Sequence, residues 1–131
     1  MKNERSFEGV PVSAPDETGF SPLTRQDIFE RVVRHYRIQR HRCPPEGRCF
    51  YRYGAESCFV GRLIEDYHPD MEGYRARDLL SSFSMPVWFR DNIDFIEELQ
   101  TIHDMETNWA SGFMDTVLEA FAARHGLTML A

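Results

Sequence analysis

No run of apolar residues in this 131-residue sequence approaches the ~18 needed to span a bilayer. The sequence therefore predicts no transmembrane helix and no membrane partner. The first twenty residues carry four acids and no apolar signal core, so a cytoplasmic location is expected. There are only three cysteines, and in that setting they favour reduced thiols over a disulfide framework.

Several motifs that carry chemistry are also missing. The sequence has no glycine-rich phosphate loop, no nucleophile elbow and no calcium loop of the D-x-[DN]-x-[DN]-G type. Four residues are of the types that bind zinc, but they lack the C-x2–4-C knuckle that aims two thiolates at one ion; they are Cys43, Cys49, Cys58 and His68. The sequence therefore predicts neither a metal nor a cofactor.

The net charge of −6 is unevenly distributed along the chain. Residues 25–62 contain nine arginines and four acids, whereas residues 63–131 contain four arginines and thirteen acids. Such polarity is compatible with two binding surfaces of opposite sign. It is also expected if basic and acidic elements pair within the fold, where exposed ion pairs contribute little stability each.

The sequence predicts a flexible acidic arm at residues 1–22 and a single globular domain at residues 23–131. A capping box formed by Thr24 and Asp27 starts the first helix, which is expected to end near Arg42 before two prolines. Its apolar positions share one stripe, and they are Ile28, Phe29, Val32, Val33 and Tyr36. Arg31, Arg34 and Arg37 fall on the opposite side.

The stretch CFYRYGAESCFVGRLI predicts a β-hairpin. One register places Tyr51 opposite Cys58, and another places Cys49 opposite Cys58. Both put Cys49 and Cys58 on one face, where they are expected to pack as small hydrophobes while Cys43 is a loop thiol. Gly61 is expected to close the hairpin, and residues 62–67 to form a short helix.

Helices are further predicted over residues 74–83, from Pro86 to about residue 105, and from about Trp109. The last should stop at Gly126, with Leu127 folding back in a Schellman contact. The predicted fold class is α+β and mostly helical, with four or five helices packed around one β-hairpin.

Two site hypotheses follow from residue types. Cys58, His103 and Gln100 are the parts of a thiol hydrolase or transferase, although the pattern places Cys58 inside a strand rather than at a helix cap. Arginines along the first helix and hairpin, with Tyr51 and Tyr53, can grip phosphates and stack a base; these arginines are Arg31, Arg34, Arg37, Arg40, Arg42, Arg48 and Arg52. The acidic balance of the chain argues against nucleic acid.

An ordered pattern of Cys-x-Tyr, Cys-x-x-Gly-x-Leu-Ile, Tyr, Glu-Gly and Gln-x-x-His-Asp runs through the chain. It resembles a family of small, largely uncharacterised bacterial and phage proteins, over roughly residues 25–127. The positions that carry the resemblance are Cys49, Tyr51, Cys58, Gly61, Leu63, Ile64, Tyr67, Glu72, Gly73, Gln100, His103 and Asp104. The resemblance implies a bacterial or phage setting and a helical domain around a hairpin; it implies no catalytic role.

Tyr51, Gln100, His103 and Asp104 are polar groups beside apolar positions, and such groups must be hydrogen-bonded if buried. They are expected to form one polar cluster joining the hairpin to the long helix. The overall expectation is a non-enzymatic interaction module, meaning an inhibitor, adaptor or regulator that binds a protein. Docking is expected through either Arg31, Arg34 and Arg37 or the acidic C-terminal half. The Cys/His enzyme and the nucleic-acid binder are the alternatives, and the oligomeric state is left open.

Overall fold

The computed structural model describes residues 22–43, 50–110 and 112–131. Over these ranges the chain forms six helices and one two-stranded antiparallel hairpin, which confirms the predicted fold class. The elements are α1 (Arg25–Gln39), β1 (Arg52–Tyr53), β2 (Glu56–Ser57), α2 (Phe59–Leu63), α3 (Ala76–Ser82), α4 (Val87–Asp91), α5 (Ile93–Asp104) and α6 (Phe113–Arg124). Cys49 and the predicted arm, apart from residue 22, lie outside the described residues. None of the described helices combines the length and apolarity needed to cross a bilayer.

Helix α1 begins as the sequence predicts. The Thr24 hydroxyl accepts a hydrogen bond from the Asp27 N–H at 3.1 Å, and the Asp27 carboxylate accepts one from the Thr24 N–H at 3.0 Å. The predicted apolar stripe is buried. The helix ends at Gln39, earlier than the predicted Arg42, because Arg40 adopts the left-handed conformation with φ of 61°.

The hairpin adopts the first of the two predicted registers. Arg52 pairs with Ser57, and the Cys58 N–H donates to the Tyr51 carbonyl at 3.2 Å. The turn contains Gly54 with φ of +63°, a conformation that glycine adopts without steric cost. The backbone therefore carries Tyr51 and Cys58 opposite each other, directly before α2.

Helix α2 differs from the prediction in position. A helix was expected at residues 62–67, with Gly61 closing the hairpin, but the observed helix is Phe59–Leu63 and Gly61 lies inside it. A Cβ placed on Gly61 would lie 1.9 Å from the Tyr51 carbonyl oxygen. The absence of a side chain thus lets α2 pack directly on the hairpin backbone, while its other contacts are with α1 and α5.

The single long helix predicted from Pro86 is interrupted at Asn92. Pro86 caps α4 rather than joining its first turn, and Asn92 has φ of −115° and ψ of 25°, outside the helical region. The Asn92 side-chain amide donates to the Trp88 carbonyl at 2.8 Å, an acceptor that the backbone N–H of Asn92 would use in a continuous helix. This break raises the helix count over the described residues from five to six.

Helix α6 completes the core. It starts at Phe113 rather than Trp109, because Glu106–Trp109 form a 3₁₀ turn, and Phe113 is exposed instead of joining the apolar stripe. The Phe121 ring packs on Phe29 of α1 and on Phe95 of α5, with centroid distances of 5.8 and 5.1 Å. The predicted Schellman contact is confirmed by the hydrogen bond from the Leu127 N–H to the Ala122 carbonyl at 2.8 Å.

Candidate functional site

Three members of the predicted polar cluster meet at the C-terminal end of α5. Asp104 Oδ1 accepts a hydrogen bond from Gln100 Nε2 at 3.0 Å and lies 2.9 Å from His103 Nδ1. The other ring nitrogen, His103 Nε2, lies 3.4 Å from the backbone N–H of Cys43. These partners assign the ring proton to Nδ1, because Nε2 faces a donor. The His103 side chain is fully buried, whereas that of Asp104 is 45% exposed.

Gln100 ties this cluster to α2, whereas the hydroxyl of Tyr51, the fourth predicted member, bonds to the loop before α3. Gln100 Oε1 accepts the N–H of Val60 at 3.0 Å, so the cluster is tied to the start of α2. The Tyr51 hydroxyl donates to the Tyr74 carbonyl at 2.5 Å. Tyr51, Gln100 and Asp104 line the same cavity of about 400 Å³. Of the four predicted residues, Gln100, His103 and Asp104 are therefore in direct contact. Tyr51 shares the cavity lining with Gln100 and Asp104.

Glu72 links the hairpin to the loop before α3, a role that sequence reasoning missed. Its Oε1 accepts the Tyr51 N–H at 2.9 Å, and its Oε2 accepts the Arg52 N–H at 3.1 Å and the Tyr67 hydroxyl at 2.6 Å. Burial, together with the hydrogen bond to Glu72, raises the pKa of Tyr67 to about 12. The Glu-Gly pair in the ordered sequence pattern was the one feature that pointed to Glu72.

Arg52 serves the fold rather than an open surface. Its guanidinium donates to the Gly61 carbonyl at 3.2 Å and to the Ile64 carbonyl at 2.6 Å, and it lies 5.0 Å from the centroid of the Tyr67 ring. These carbonyls belong to the C-terminal end of α2, where a cation offsets the helix dipole. The guanidinium predicted to grip phosphates is thus committed to internal contacts.

Cys58 caps α2. Its backbone is extended, and its Sγ accepts the Gly61 N–H at 3.3 Å. The prediction that this thiol lies within a strand, away from a helix cap, is wrong because α2 starts at the next residue. A helix N-terminus favours the thiolate, whereas apolar burial disfavours it. The side chain is completely buried, which shields it from substrate as well as from solvent.

Cys43 lies in the loop after α1, as predicted, but its side chain is completely buried rather than accessible. The chain turns after Arg40 and brings the Cys43 N–H against the His103 ring, inside the core. In the part of the chain that the structure describes, which omits Cys49, no group of three His, Cys, Asp or Glu side chains is placed to hold a metal ion.

We expect both described thiols to be unreactive in the native protein. In a Cys49→Ser variant, a thiol reagent such as DTNB should modify Cys43 and Cys58 only after denaturant is added, because each side chain has no exposed surface. Absorbance at neutral pH with and without urea measures this. Rapid native modification of Cys58 would contradict the expectation and would favour the Cys58–His103 enzyme hypothesis.

The three arginines predicted to bind a partner have different surroundings. Arg31 pairs with Glu65 at 3.3 Å, and Arg37 donates to the carbonyls of Ala131 and Leu130 at 2.7 and 3.0 Å. Arg34 is 66% exposed, and among the residues that the structure describes its ion pair is with Glu30 at 3.4 Å, one turn away on the same helix. Pairing within the fold thus accounts for Arg31 and Arg37, and Arg34 is the member most available to a partner.

A groove of about 770 Å³ runs beside Arg34, between α1 and the hairpin. Its walls include Ile38, whose side chain is 84% exposed, and Arg62 of α2. Ile38 was not singled out from the sequence. The signal was present, however, because Ile38 is an apolar residue that follows the buried position Tyr36 by two and therefore falls off the buried stripe of α1.

Two α1 side chains hold the hairpin wall of this groove in place. Gln39 Oε1 accepts the Ser57 N–H at 3.0 Å, and His35 Nε2 lies 2.7 Å from the Ser57 carbonyl. Together they occupy the backbone groups that the edge of β2 would otherwise present. Burial lowers the pKa of His35, and the charge of Arg62 adds to the effect, while the hydrogen bond to Ser57 opposes it. The neutral ring is therefore the form that the groove favours.

Comparison of the chain with models of protein families, with curated proteins and with solved structures gave no match. No activity, cofactor or partner therefore transfers to this chain from a relative.

Proposed function

We propose that this chain is a cytoplasmic, non-enzymatic module that binds a protein partner through the groove between α1 and the hairpin. The observation that carries the proposal is the 84% exposure of Ile38 at the edge of that groove. Acting as an inhibitor, adaptor or regulator fits such a module, and the bacterial or phage setting follows from the motif resemblance alone.

A single exposed apolar residue is ordinary on a protein surface. Ile38 is distinguished by its position, since it lies one helical turn from the exposed Arg34 and lines a concave surface with Arg62. Interfaces commonly combine an apolar anchor with arginines and a concave partner surface. Full burial of an isoleucine side chain contributes roughly 1.5–3 kcal/mol, so Ile38 can anchor a complex.

The walls of the groove are already held in position. Ser57 of β2 is bonded through its N–H and its C=O to α1, and β2 continues into the cap of α2. A preformed surface loses little conformational entropy on binding. We therefore expect the partner to dock without a large rearrangement of α1 or the hairpin.

The test is affinity capture from the source cell, with the captured protein identified by mass spectrometry and its binding then measured with purified components. An Ile38→Gln variant should bind about 10-fold more weakly or worse, since loss of an apolar anchor costs roughly 1.4 kcal/mol or more. Met105→Gln is the matched control, because Met105 is also exposed but does not line the groove.

Equal binding by the Ile38 and Met105 variants would contradict the proposal. Capture that disappears on nuclease treatment would favour the nucleic-acid alternative instead, particularly if affinity fell steeply with salt. Far-ultraviolet circular dichroism of both variants should match the wild type, which separates loss of binding from loss of folding.

A further inference from the structure

The groove contains two guanidinium groups that the fold leaves available. Arg62 lines it from α2, and its guanidinium has no hydrogen-bond or ion-pair partner among the residues that the structure describes. Arg34 lines it from α1, and its ion pair with Glu30 is exposed and long. An exposed pair of that kind contributes at most about 1 kcal/mol, so an incoming carboxylate can compete with Glu30 for Arg34.

Glu56, which also lines the groove, has an acceptor oxygen without a donor. Glu56 Oε1 is buried and has no hydrogen-bond partner over the described ranges, while Glu56 Oε2 lies 3.4 Å from His41 Nε2. A buried acceptor left unpaired is costly, and it is relieved by an N–H group after a small rotation of the side chain. A peptide backbone supplies N–H donors, whereas a phosphodiester backbone presents only acceptors.

We propose that the groove binds an acidic segment of a partner protein. Its carboxylates meet Arg34 and Arg62, an apolar side chain next to them packs on Ile38, and a backbone N–H reaches Glu56. Guanidinium groups favour carboxylates because they offer paired donors in one plane. This inference rests on the proposed function and adds the chemistry of the partner.

The experiment uses the full chain as target and a displayed library of random twelve-residue peptides as the probe. Peptides that bind the wild type are counter-selected against the Ile38→Gln variant, so that only groove-dependent binders remain. The enriched peptides are expected to carry aspartate or glutamate within a few positions of an aliphatic residue. Their affinity should weaken as salt rises, because their charges meet Arg34 and Arg62.

Synthetic copies of the enriched peptides are then titrated against charge variants. An Arg34→Glu/Arg62→Glu protein should bind them at least about 10-fold more weakly, since both attractive charges become repulsive. Arg90→Glu is the matched control: Arg90 is an exposed α4 arginine outside the groove, and its reversal should change affinity less than about 2-fold. If the double reversal fails to fold, the milder Arg62→Gln variant carries the test, with a smaller loss expected.

The outcomes separate the inference from the function on which it rests. Ile38-dependent peptides without an acidic bias, or with equal affinity for the reversed protein, would overturn the inference and leave the protein-binding function standing. A library that gives no Ile38-dependent binder at all would overturn both.

Discussion

Replacing Gly61 by alanine is expected to lower the free energy of unfolding by about 3 kcal/mol or more. The added Cβ would lie 1.9 Å from the Tyr51 carbonyl oxygen and 2.6 Å from its carbonyl carbon. Both atoms belong to the backbone, so relief requires that α2 move away from the hairpin. In a helix without this contact, the same change would increase stability by roughly 0.5–1 kcal/mol. The sign of the change in stability therefore shows whether α2 packs on the hairpin backbone.

Urea denaturation followed by tryptophan fluorescence measures the change. Gly73→Ala is the control, because Gly73 has φ of +89° but no atom within 4 Å of its added Cβ; its cost should be only the roughly 1–2 kcal/mol of a left-handed alanine. Hydrogen exchange at the Cys58 amide should accelerate in Gly61→Ala, since that amide donates to Tyr51. A variant as stable as the wild type would mean that α2 does not pack on the hairpin backbone.

Replacing Glu72 by glutamine is the second change with a large expected effect, a loss of about 2–4 kcal/mol in the free energy of unfolding. The carboxylate accepts three hydrogen bonds, from the Tyr51 N–H, the Arg52 N–H and the Tyr67 hydroxyl. Glutamine keeps the shape of the side chain but replaces one acceptor oxygen by a donor. At least one of the three donors then faces an NH₂ group, and the negative charge is gone.

A spectroscopic readout tests the Glu72 contact independently of stability. The phenol of Tyr67 has a pKa of about 12, raised by burial and by the hydrogen bond to Glu72. In Glu72→Gln, titration at 295 nm should show the Tyr67 pKa fall towards its ordinary value of 10.0, because a neutral side chain no longer disfavours the phenolate. An unchanged titration would show that Glu72 does not contact Tyr67.

The control for Glu72 makes the same chemical change at an exposed site. Glu65→Gln removes an ion pair with Arg31 in which both side chains are about one-third or more exposed. Its cost should lie within about 1 kcal/mol. A similar loss at the two positions would indicate that the hydrogen bonds to the hairpin backbone are not what distinguishes Glu72.

The sequence left two interpretations of its uneven charge, internal pairing and a binding surface, and each applies to different arginines. Arg31 pairs with Glu65 of the acidic segment, as internal pairing predicts, and Arg52 is held by carbonyls of α2. Arg34 and Arg62 remain at the groove. The division of the chain into a basic and an acidic segment does not indicate which arginines find an acceptor. That depends on which carboxylates and helix C-terminal carbonyls lie beside each arginine in the fold.

What the sequence by itself determined is local. The capping box at Thr24, the apolar stripe of α1, the presence of a β-hairpin and the Schellman end at Gly126 all depend on residues within a few positions of one another. Backbone sterics and hydrogen-bonding periodicity operate over such distances. These features could therefore be predicted before any packing was known.

The tertiary structure alone decided the features that depend on distant backbone. Cys58 became a helix cap and Gly61 a helix interior because α2 packs on the hairpin at Tyr51. The groove beside Ile38 exists because the hairpin is tied to α1 through Ser57. Each of these outcomes is fixed by a contact between segments far apart in the chain, where the free energy of burial outweighs local preference and no sequence period records it.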